Sequence, residues 1–445
     1  MQLTYKSFGA IVLAFFCCTK SSAQNFWELH PPDKDSAMFV TERKRIETLD
    51  VSELLAKSRN KKILVLAEKS HSEGTLYVAK NYVLEKLARE TSFTCLVEGS
   101  IFEFYYHNAK QLHKSGKRLS AIYYNDVEFR GSLGNSLLDT LERQGLSDSI
   151  NILAFSYGIG NKPAIDMLHA DLEKDATTNI EGLSIAIDRL FVKKVFDKDF
   201  EYFHRYTIYP KFLDSIKKAT DHFSSFYDIL LKKKHSLEEV KSLKMKQRMW
   251  ICVSQYFQNR FYEQSMDDVK MYEKNNFTEI TKSSILRDRF LYSNIAWYIK
   301  DYLPPNSKVV LSISAMHALK SVNFNNDTKK NGFYPDYETV GMLINRDTLF
   351  KENTYTTAIV SSGGYTGINT LRIKEIAAPQ KNSIEKKIAD MGVDIGFYDL
   401  SNTKNLLFKK PFSMSPFFDD KYLKAEWSNY YDGFIYVKNV LPNIW

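Results

Sequence analysis

The sequence predicts an α/β fold: a mostly parallel sheet flanked by helices, with a large helical insertion or cap at about residues 163–300. Two observations predict it. Short apolar runs recur along the chain and are separated by stretches with helical spacing, as in parallel strands buried on both faces. The block at 163–300 instead reads as helical almost throughout, and it interrupts this alternation. A length of 445 residues fits one large domain with such an insertion.

The apolar runs define the individual strands. Six strands are predicted, at residues 63–67, 94–97, 152–155, 309–313, 354–360 and 433–437. Between the first two strands, apolar positions at about 75–90 recur at i, i+3 and i+4 intervals, so strand, helix and strand form one βαβ unit. Further helices are predicted inside the insertion, at 180–196, 200–218, 237–261 and 285–302.

The N-terminus has the pattern of a secretory signal peptide. Lys6 opens a short charged region, residues 8–18 are apolar, and small residues stand at 21–23. We therefore expect residues 1–23 to be removed and residues 24–445 to form the mature protein. The expected location is outside the cytoplasm, in the periplasm or the extracellular medium.

The apolar run at residues 8–18 is shorter than a bilayer requires, so it fits a signal peptide and not a membrane span. We expect no transmembrane span in the mature chain. Cys17 or Cys18 closes that run, so either one is an alternative attachment site for a lipid anchor. The remaining cysteines, Cys95 and Cys252, lie in apolar segments and are expected to be buried. They cannot form a disulfide framework or a thiolate metal cluster.

The composition favours a partner that is a small molecule. The net charge of +8 comes from scattered lysines, and no basic stripe with interleaved aromatic residues is present. We therefore expect no nucleic-acid partner.

Carboxylates and histidines follow three of the predicted strands. Glu68 and His71 follow the first strand, Glu98 ends the second, and Ser314 and His317 end the strand at 309–313. The carboxyl ends of parallel strands face the ligand crevice, so these side chains are expected to converge there. An imidazole can accept a proton from water while a carboxylate orients its ring.

The neighbourhood of each candidate also has a structural interpretation. The segment around Glu68 and His71 fits a solvent-exposed turn, and Glu98 fits a helix cap or a surface ion pair. If the second strand neighbours the first, Glu98 would lie close to Glu68. The joint placement at three strand ends favours a site over coincidence.

Ordered motifs in this chain resemble the erythromycin esterase-like family. That family has Gly-Glu-x-Thr-His-Gly after its first strand, then a basic residue on a helix and a strand ending in Glu. Here the counterparts are residues 67–72 (Ala-Glu-Lys-Ser-His-Ser), Lys80 and Glu98. Later, residues 287–297 match the family's Arg-Asp-x-x-Met-x-x-Asn-x-x-Trp helix, and residues 314–317 match its His-Asn-x-His.

The resemblance implies a hydrolase that cleaves ester or lactone bonds without a metal or another cofactor, and the predicted signal peptide implies that it is exported. His71 would be the general base and Glu68 and Glu98 would orient it, while His317 and Lys80 would position the substrate or stabilise the oxyanion. The catalytic residues predicted on this basis are His71, Glu68, Glu98 and His317, and the substrate-binding residues are Lys80, Ser314 and Arg287.

Several residues depart from the family pattern, among them Leu291, which stands where the family has a methionine. Ala67 and Ser72 replace the motif glycines, Ser314 stands where the family has a histidine, and Lys80 stands where it has an arginine. These changes leave the substrate open, including whether it is a macrolide.

Three other functions therefore remain. The first is a haem- or small-ligand-binding protein of the same wider superfamily, in which His71 or His317 would hold the ligand. The second is a metal-dependent hydrolase with Glu68, His71, Glu98 and His317 as ligands. The third is a scaffold without activity.

Overall fold

The computed structural model describes the chain from residue 35 to residue 443, with gaps. The predicted signal peptide, the cysteines at 17 and 18 and the helix at 180–196 lie outside the described residues. The described ranges are 35–102, 104–106, 144–158, 162–177, 209–266, 277–322, 337–367, 373–401, 408, 411–416 and 422–443.

The described residues form eleven strands. In chain order these are β1 (Ile63–Glu68), β2 (Phe93–Ser100), β3 (Ile150–Ser156), β4 (Val309–Ser314), β5 (Thr354–Ser361), β6 (Tyr365–Thr366), β7 (Lys374–Glu375), β8 (Ile395–Asp399), β9 (Phe412–Met414), β10 (Leu423–Ala425) and β11 (Gly433–Val437). Seven of them make one sheet in the order β3-β2-β4-β1-β5-β11-β8. All neighbours in it are parallel except β8, which is antiparallel to β11. The predicted mostly parallel α/β fold is thus confirmed.

The described helices flank this sheet. They are α1 (Asp35–Ile46), α2 (Ser52–Arg59), α3 (Gly74–Glu90), α4 (Lys162–Thr177), α5 (Tyr209–Leu231), α6 (Leu237–Met266), α7 (Phe277–Trp297), α8 (Val340–Arg346) and α9 (Ile384–Asp390). Short 3-10 turns lie at Ser147–Ser149, Lys351–Asn353 and Trp427–Asn429, and α7 continues into a π-helical turn, Tyr298–Tyr302. Every described element between β3 and β4 is helical. The boundaries of a separate insertion remain a prediction.

The strand order differs from the simplest expectation for the βαβ unit of β1, α3 and β2. β4 lies between β1 and β2, so the two strands of that unit are not neighbours. Glu68 is in register with Ser314, and Val97 with Ser312, so the end of β4 separates Glu68 from the end of β2. The nearly continuous apolar character of β4, which is buried along its length, suits this central position.

Two apolar clusters cover the two faces of the sheet. Along β1, Ile63, Val65 and Ala67 pack into the cluster formed with α4–α7, whereas Leu64 and Leu66 pack into the cluster formed with α1–α3. This alternation is the two-residue period of a strand with both faces covered.

The two described cysteines are free and buried, as expected from their apolar surroundings. Among the described residues, no helix is long and apolar enough to cross a membrane.

Candidate active site

A cavity of about 510 Å³ opens at the carboxyl ends of β1 and β4. This volume lies in the range of small-molecule sites, which run from about 300 to 1,000 Å³. It is lined by Lys69, Ser70, His71, Ser72, Ser284, Arg287, Asp288, Ser314, Met316, His317, Tyr337, Thr366 and Lys374. The position agrees with the general rule that open parallel sheets bind ligands beyond the carboxyl ends of their strands.

The first chemical feature of the site is a pair formed by Glu68 and His71. Glu68 is the last residue of β1 and is fully buried, and its Oε1 lies 2.9 Å from Nδ1 of His71. Its other oxygen, Oε2, accepts a hydrogen bond from Nζ of Lys80 on α3. Lys80 also donates to Oγ of Ser312 at 2.7 Å. One carboxylate is thus shared between an imidazole and a buried ammonium group.

Glu68 is held in its ionised form. Burial on its own raises the pKa of this carboxyl group, but Lys80 and His71 outweigh burial and lower the pKa below its ordinary value. An ionised Glu68 beside Nδ1 favours the tautomer with its hydrogen on Nδ1. Nε2 of His71 then carries the lone pair that a general base requires.

Further contacts fix the position of His71. The hydroxyl oxygen of Tyr77, on α3, lies 2.9 Å from Nδ1. The side-chain amide of Asn443 donates to the backbone carbonyl of His71 at 3.1 Å. The backbone N–H of Asn443 donates to the backbone carbonyl of Ser72 at 3.0 Å. The loop that carries His71 is therefore held from both the helix side and the C-terminal segment.

The second chemical feature is a pair formed by Asp288 and His317. Asp288 lies on α7 and is fully buried, and its Oδ1 is 2.7 Å from Nδ1 of His317. Its Oδ2 accepts a hydrogen bond from the backbone N–H of Val340 at 3.1 Å. On the other side of the ring, Nε2 of His317 lies 3.9 Å from Oε1 of Glu98.

Two carboxylates therefore flank the His317 ring. Burial lowers the pKa of His317, but Asp288 and Glu98 outweigh burial and the repulsion from Arg287, so the pKa is raised above its ordinary value. The environment of His317 thus favours the imidazolium form.

Glu98 joins His317 to Arg287. Its Oε1 accepts a hydrogen bond from a terminal nitrogen of Arg287 at 2.7 Å. Burial raises the pKa of Glu98, but His317, Arg287 and His71 lower it, to about 2. Glu98 was expected to lie close to Glu68 if β2 neighboured β1, which it does not. Its direct contacts are with Arg287 and His317, and its interaction with His71 is an electrostatic one that lowers the pKa of Glu98.

The structure brings most of the predicted residues to one place. His71, His317, Ser314 and Arg287 line the cavity. The two glutamates are not among the described lining residues but contact them. Glu68 contacts His71, and Glu98 contacts His317 and Arg287.

Lys80 differs from its predicted role in substrate binding. It is 2% exposed and lies behind Glu68, because the position it occupies on α3 faces the sheet. Its ammonium group contacts buried protein groups at the strand ends and is not among the described groups that line the cavity.

Sequence reasoning missed two partners of the histidines, Asp288 and Tyr77. Asp288 directly follows Arg287 in the matched helix motif, so a buried carboxylate next to a predicted site residue was the available signal. Tyr77 gave no signal, since a tyrosine in an amphipathic helix fits the core equally well.

Among the described residues, no group of three or more His, Cys, Asp or Glu side chains is arranged to hold a metal ion.

No protein-family model matches the sequence, and no curated protein is significantly similar to it. Three solved structures share its fold. A protein from Bacillus cereus superposes with a TM-score of 0.67 at 14% identity, over 91% of this chain and 98% of that chain. A succinoglycan biosynthesis protein superposes with a TM-score of 0.65 at 12% identity, over 88% and 91%.

The third structure is a histidine-to-asparagine variant of the erythromycin esterase EreC in its open conformation. It superposes with a TM-score of 0.61 at 12% identity, over 89% of this chain and 95% of that chain. The chain therefore has the α/β fold of erythromycin esterase, as the sequence resemblance predicted.

Proposed function

We propose that this protein is an exported hydrolase that cleaves an ester or lactone bond, with His71 as general base and His317 as the proton donor or oxyanion partner. The observation that carries the proposal is the placement of two carboxylate–histidine pairs, Glu68–His71 and Asp288–His317, on one cavity. The shared fold with an erythromycin esterase supports the same class of reaction.

The two histidines have different roles in the proposed reaction. Nε2 of His71 takes a proton from water, and the resulting hydroxide attacks the carbonyl carbon of the substrate. Glu68 stabilises the imidazolium that forms on His71. Because its pKa is raised, His317 supplies a positively charged donor for the oxyanion, and it gives its proton to the departing alkoxide. His71 then releases the proton from water to the solvent and His317 takes one up, which restores both groups.

Arg287 and Glu98 support the acidic side of the site. Arg287 keeps Glu98 ionised, and the ionised Glu98 in turn favours the protonated form of His317. This chain of contacts places one positive charge at Arg287 and one at His317, close to where negative charge develops during ester cleavage.

The first experiment is an assay of chelator-treated protein beginning at residue 24 against p-nitrophenyl esters and macrocyclic lactones. Wild type is compared with His71→Gln and with His222→Gln, a histidine of α5 outside the cavity lining. Turnover that survives chelation, is lost in His71→Gln and is kept in His222→Gln supports the proposal. Turnover that needs a metal contradicts it.

The absorption spectrum of the purified protein tests the alternative of haem binding. A Soret band that disappears in His71→Gln or His317→Gln, together with no hydrolysis of any ester, would replace the hydrolase with a haem-binding protein.

A further inference from the structure

The acidic groups of the site are each matched by a cation. Glu68 contacts Lys80 and His71, Glu98 contacts Arg287, and Asp288 contacts His317. Buried carboxylates require such partners, because removing an isolated charge from water is costly. The catalytic groups therefore form a set in which negative charge is already balanced.

Two further cations line the same cavity, Lys69 and Lys374. Among the described lining residues, Asp288 is the only acid, and it is fully buried beside His317. Lys69 is itself buried and interacts electrostatically with Glu385, a buried acid whose pKa is raised by burial. The part of the cavity lining that faces a ligand is therefore biased towards positive charge.

The backbone places Lys374 beside a hydroxyl group. β6 and β7 pair antiparallel, with Thr366 opposite Lys374 and Tyr365 opposite Glu375. Residues opposite each other share one face of a ladder, so Thr366 and Lys374 point to one side and Tyr365 and Glu375 to the other. Thr366 and Lys374 both line the cavity, whereas Glu375 does not.

The rest of the lining is rich in hydroxyl groups. Ser70, Ser72, Ser284 and Ser314 all line the cavity, and Met316 and Tyr337 are its two residues with a large apolar side-chain body. Lysine ammonium and hydroxyl groups together make strong hydrogen bonds to carboxylate and phosphate oxygens.

We propose that the substrate is an ester that also carries an anionic group, a carboxylate or a phosphate, which Lys374 binds together with Thr366, with Lys69 adding positive charge. This inference rests on the proposed hydrolase function and specifies its substrate class. Lys374 and Thr366 take no part in the proposed proton transfers, so the anion is expected to contribute to substrate affinity.

The test compares esters that differ only at their far end: p-nitrophenyl hexanoate, mono-p-nitrophenyl adipate and p-nitrophenyl 6-phosphonohexanoate. Rates without enzyme are subtracted. The adipate or phosphono ester is expected to have a KM about 10- to 150-fold below that of the hexanoate, the range expected for hydrogen bonds to a charged group. The better of the two anions identifies which group the site prefers.

Variants locate the effect. Lys374→Met is expected to remove the advantage of the anionic ester by raising its KM, with kcat and the hexanoate values unchanged. The matched control is Lys351→Met. Lys351 is exposed in the 3-10 turn that precedes β5, so it lies at the amino ends of the parallel strands, whereas the cavity lies at their carboxyl ends. Equal KM values for all three esters in wild type, or the same change in both variants, would overturn the inference.

Loss of the proposed function gives a different result from loss of this inference. If no ester is cleaved, the hydrolase proposal fails, and calorimetric titration with adipate and with inorganic phosphate then tests the anion site alone. Binding of either ion that Lys374→Met weakens and Lys351→Met leaves unchanged supports the site. Absence of binding of both ions overturns it.

Discussion

The Glu68–His71 and Asp288–His317 pairs contain the same chemical groups and meet at one cavity, yet their surroundings differ. Glu68 shares its charge with buried Lys80, and the side chain of His71 is 36% exposed. The side chain of His317 is only 9% exposed, and a second carboxylate, Glu98, lies near its outer nitrogen. One imidazole thus has a carboxylate that a lysine partly neutralises, and the other has two carboxylates around it.

In the proposed reaction, this difference separates the base, His71, from the acid, His317. Asp288 and Glu98 together raise the pKa of His317. Beside His71, by contrast, Glu68 also contacts the ammonium group of Lys80. Groups whose surroundings push their proton affinities apart are the expected acid and base of a site. The third group beside each pair, a lysine or a glutamate, is therefore what distinguishes the two.

The largest expected effect comes from removing each imidazole in turn. His71→Gln and His317→Gln are each expected to lower kcat, by about 10²- to 10⁴-fold for the base, the usual contribution of general acid–base catalysis. The pH profiles separate the two. Wild-type activity is expected to fall at low pH, where His71 becomes protonated, and to fall at high pH, where His317 loses its proton.

In this scheme His71→Gln abolishes the acidic limb of the residual kcat profile and His317→Gln abolishes the alkaline limb. Measurement of kcat from about pH 5 to pH 10 in both variants checks the assignment. This interval brackets ordinary histidine pKa values, about 6.6 ± 1.0, and extends above them because the pKa of His317 is raised. The reverse pattern would exchange the roles of the two histidines.

The next effect concerns the lysine that only the first pair has. Lys80→Met leaves Glu68 buried without its ammonium partner, and breaking a buried ion pair in this way is expected to cost about 3–5 kcal/mol of unfolding free energy. Urea denaturation at pH 7 measures this. The double variant Glu68→Gln/Lys80→Met is expected to regain much of the loss, because it leaves no buried charge behind.

Equal stability of Lys80→Met and wild type would mean that the ammonium group does not balance Glu68. The matched control is Lys300→Met, a surface ion pair with Asp347, for which a change of about 0–1 kcal/mol is expected.

A smaller effect is expected from Asp288→Asn, which keeps the shape of the second pair and removes its charge. The pKa of His317 is expected to fall, so the alkaline limb of kcat moves to lower pH, and the rate loss is smaller than in His317→Gln because the imidazole remains.

The raised pKa of His317 also makes the stability of the protein depend on pH. The raised pKa contributes stability below the ordinary value of 6.5, and this contribution is lost as pH rises through the folded-state pKa.

Asp288→Asn is therefore expected to lose more unfolding free energy at low pH than at high pH, relative to wild type. Urea denaturation on both sides of neutrality checks this, and a loss that is independent of pH would contradict it.

The smallest expected effect is that of Tyr77→Phe, which removes the hydroxyl group near Nδ1 of His71. One hydrogen bond is worth about 0.5–1.5 kcal/mol, so kcat is expected to fall about 2- to 10-fold with KM unchanged. Tyr82→Phe on the same helix, whose hydroxyl donates to the backbone carbonyl of Glu47, serves as the control. A loss as large as that of His71→Gln would make Tyr77 a participant in the chemical step.

The fold was largely predictable because its strands are buried on both faces. The six predicted strands were confirmed, since runs such as that of β4 have almost no polar interruption. β8 was missed because it is an antiparallel edge strand with a glycine at 396 and is only partly buried over most of its length. Burial on one side gives a weak sequence signal.

The site was predictable only to the level of which residues approach it. Glu68, His71, Glu98 and His317 were indicated because each follows a strand, and strand ends meet at one edge of a sheet. Their pairing was not predictable, because it depends on the position of β4 between β1 and β2 and on α7, which brings Asp288 to His317. Lys80 was assigned to the substrate because of the family resemblance. Its place four residues from both Leu76 and Leu84 puts it on the apolar face of α3.

The central position of β4 also has a consequence for how the chain folds. β1 and β2 are formed by residues 63–100, but the strand that joins them begins at Val309, more than two hundred residues later. Until that segment is synthesised, each strand presents an edge with open hydrogen-bonding groups, the kind of surface that pairs with other chains. Contacts between residues this far apart also slow folding. A nascent chain of this protein is therefore expected to need protection from aggregation until β4 has inserted, and the proposed active site cannot form before then.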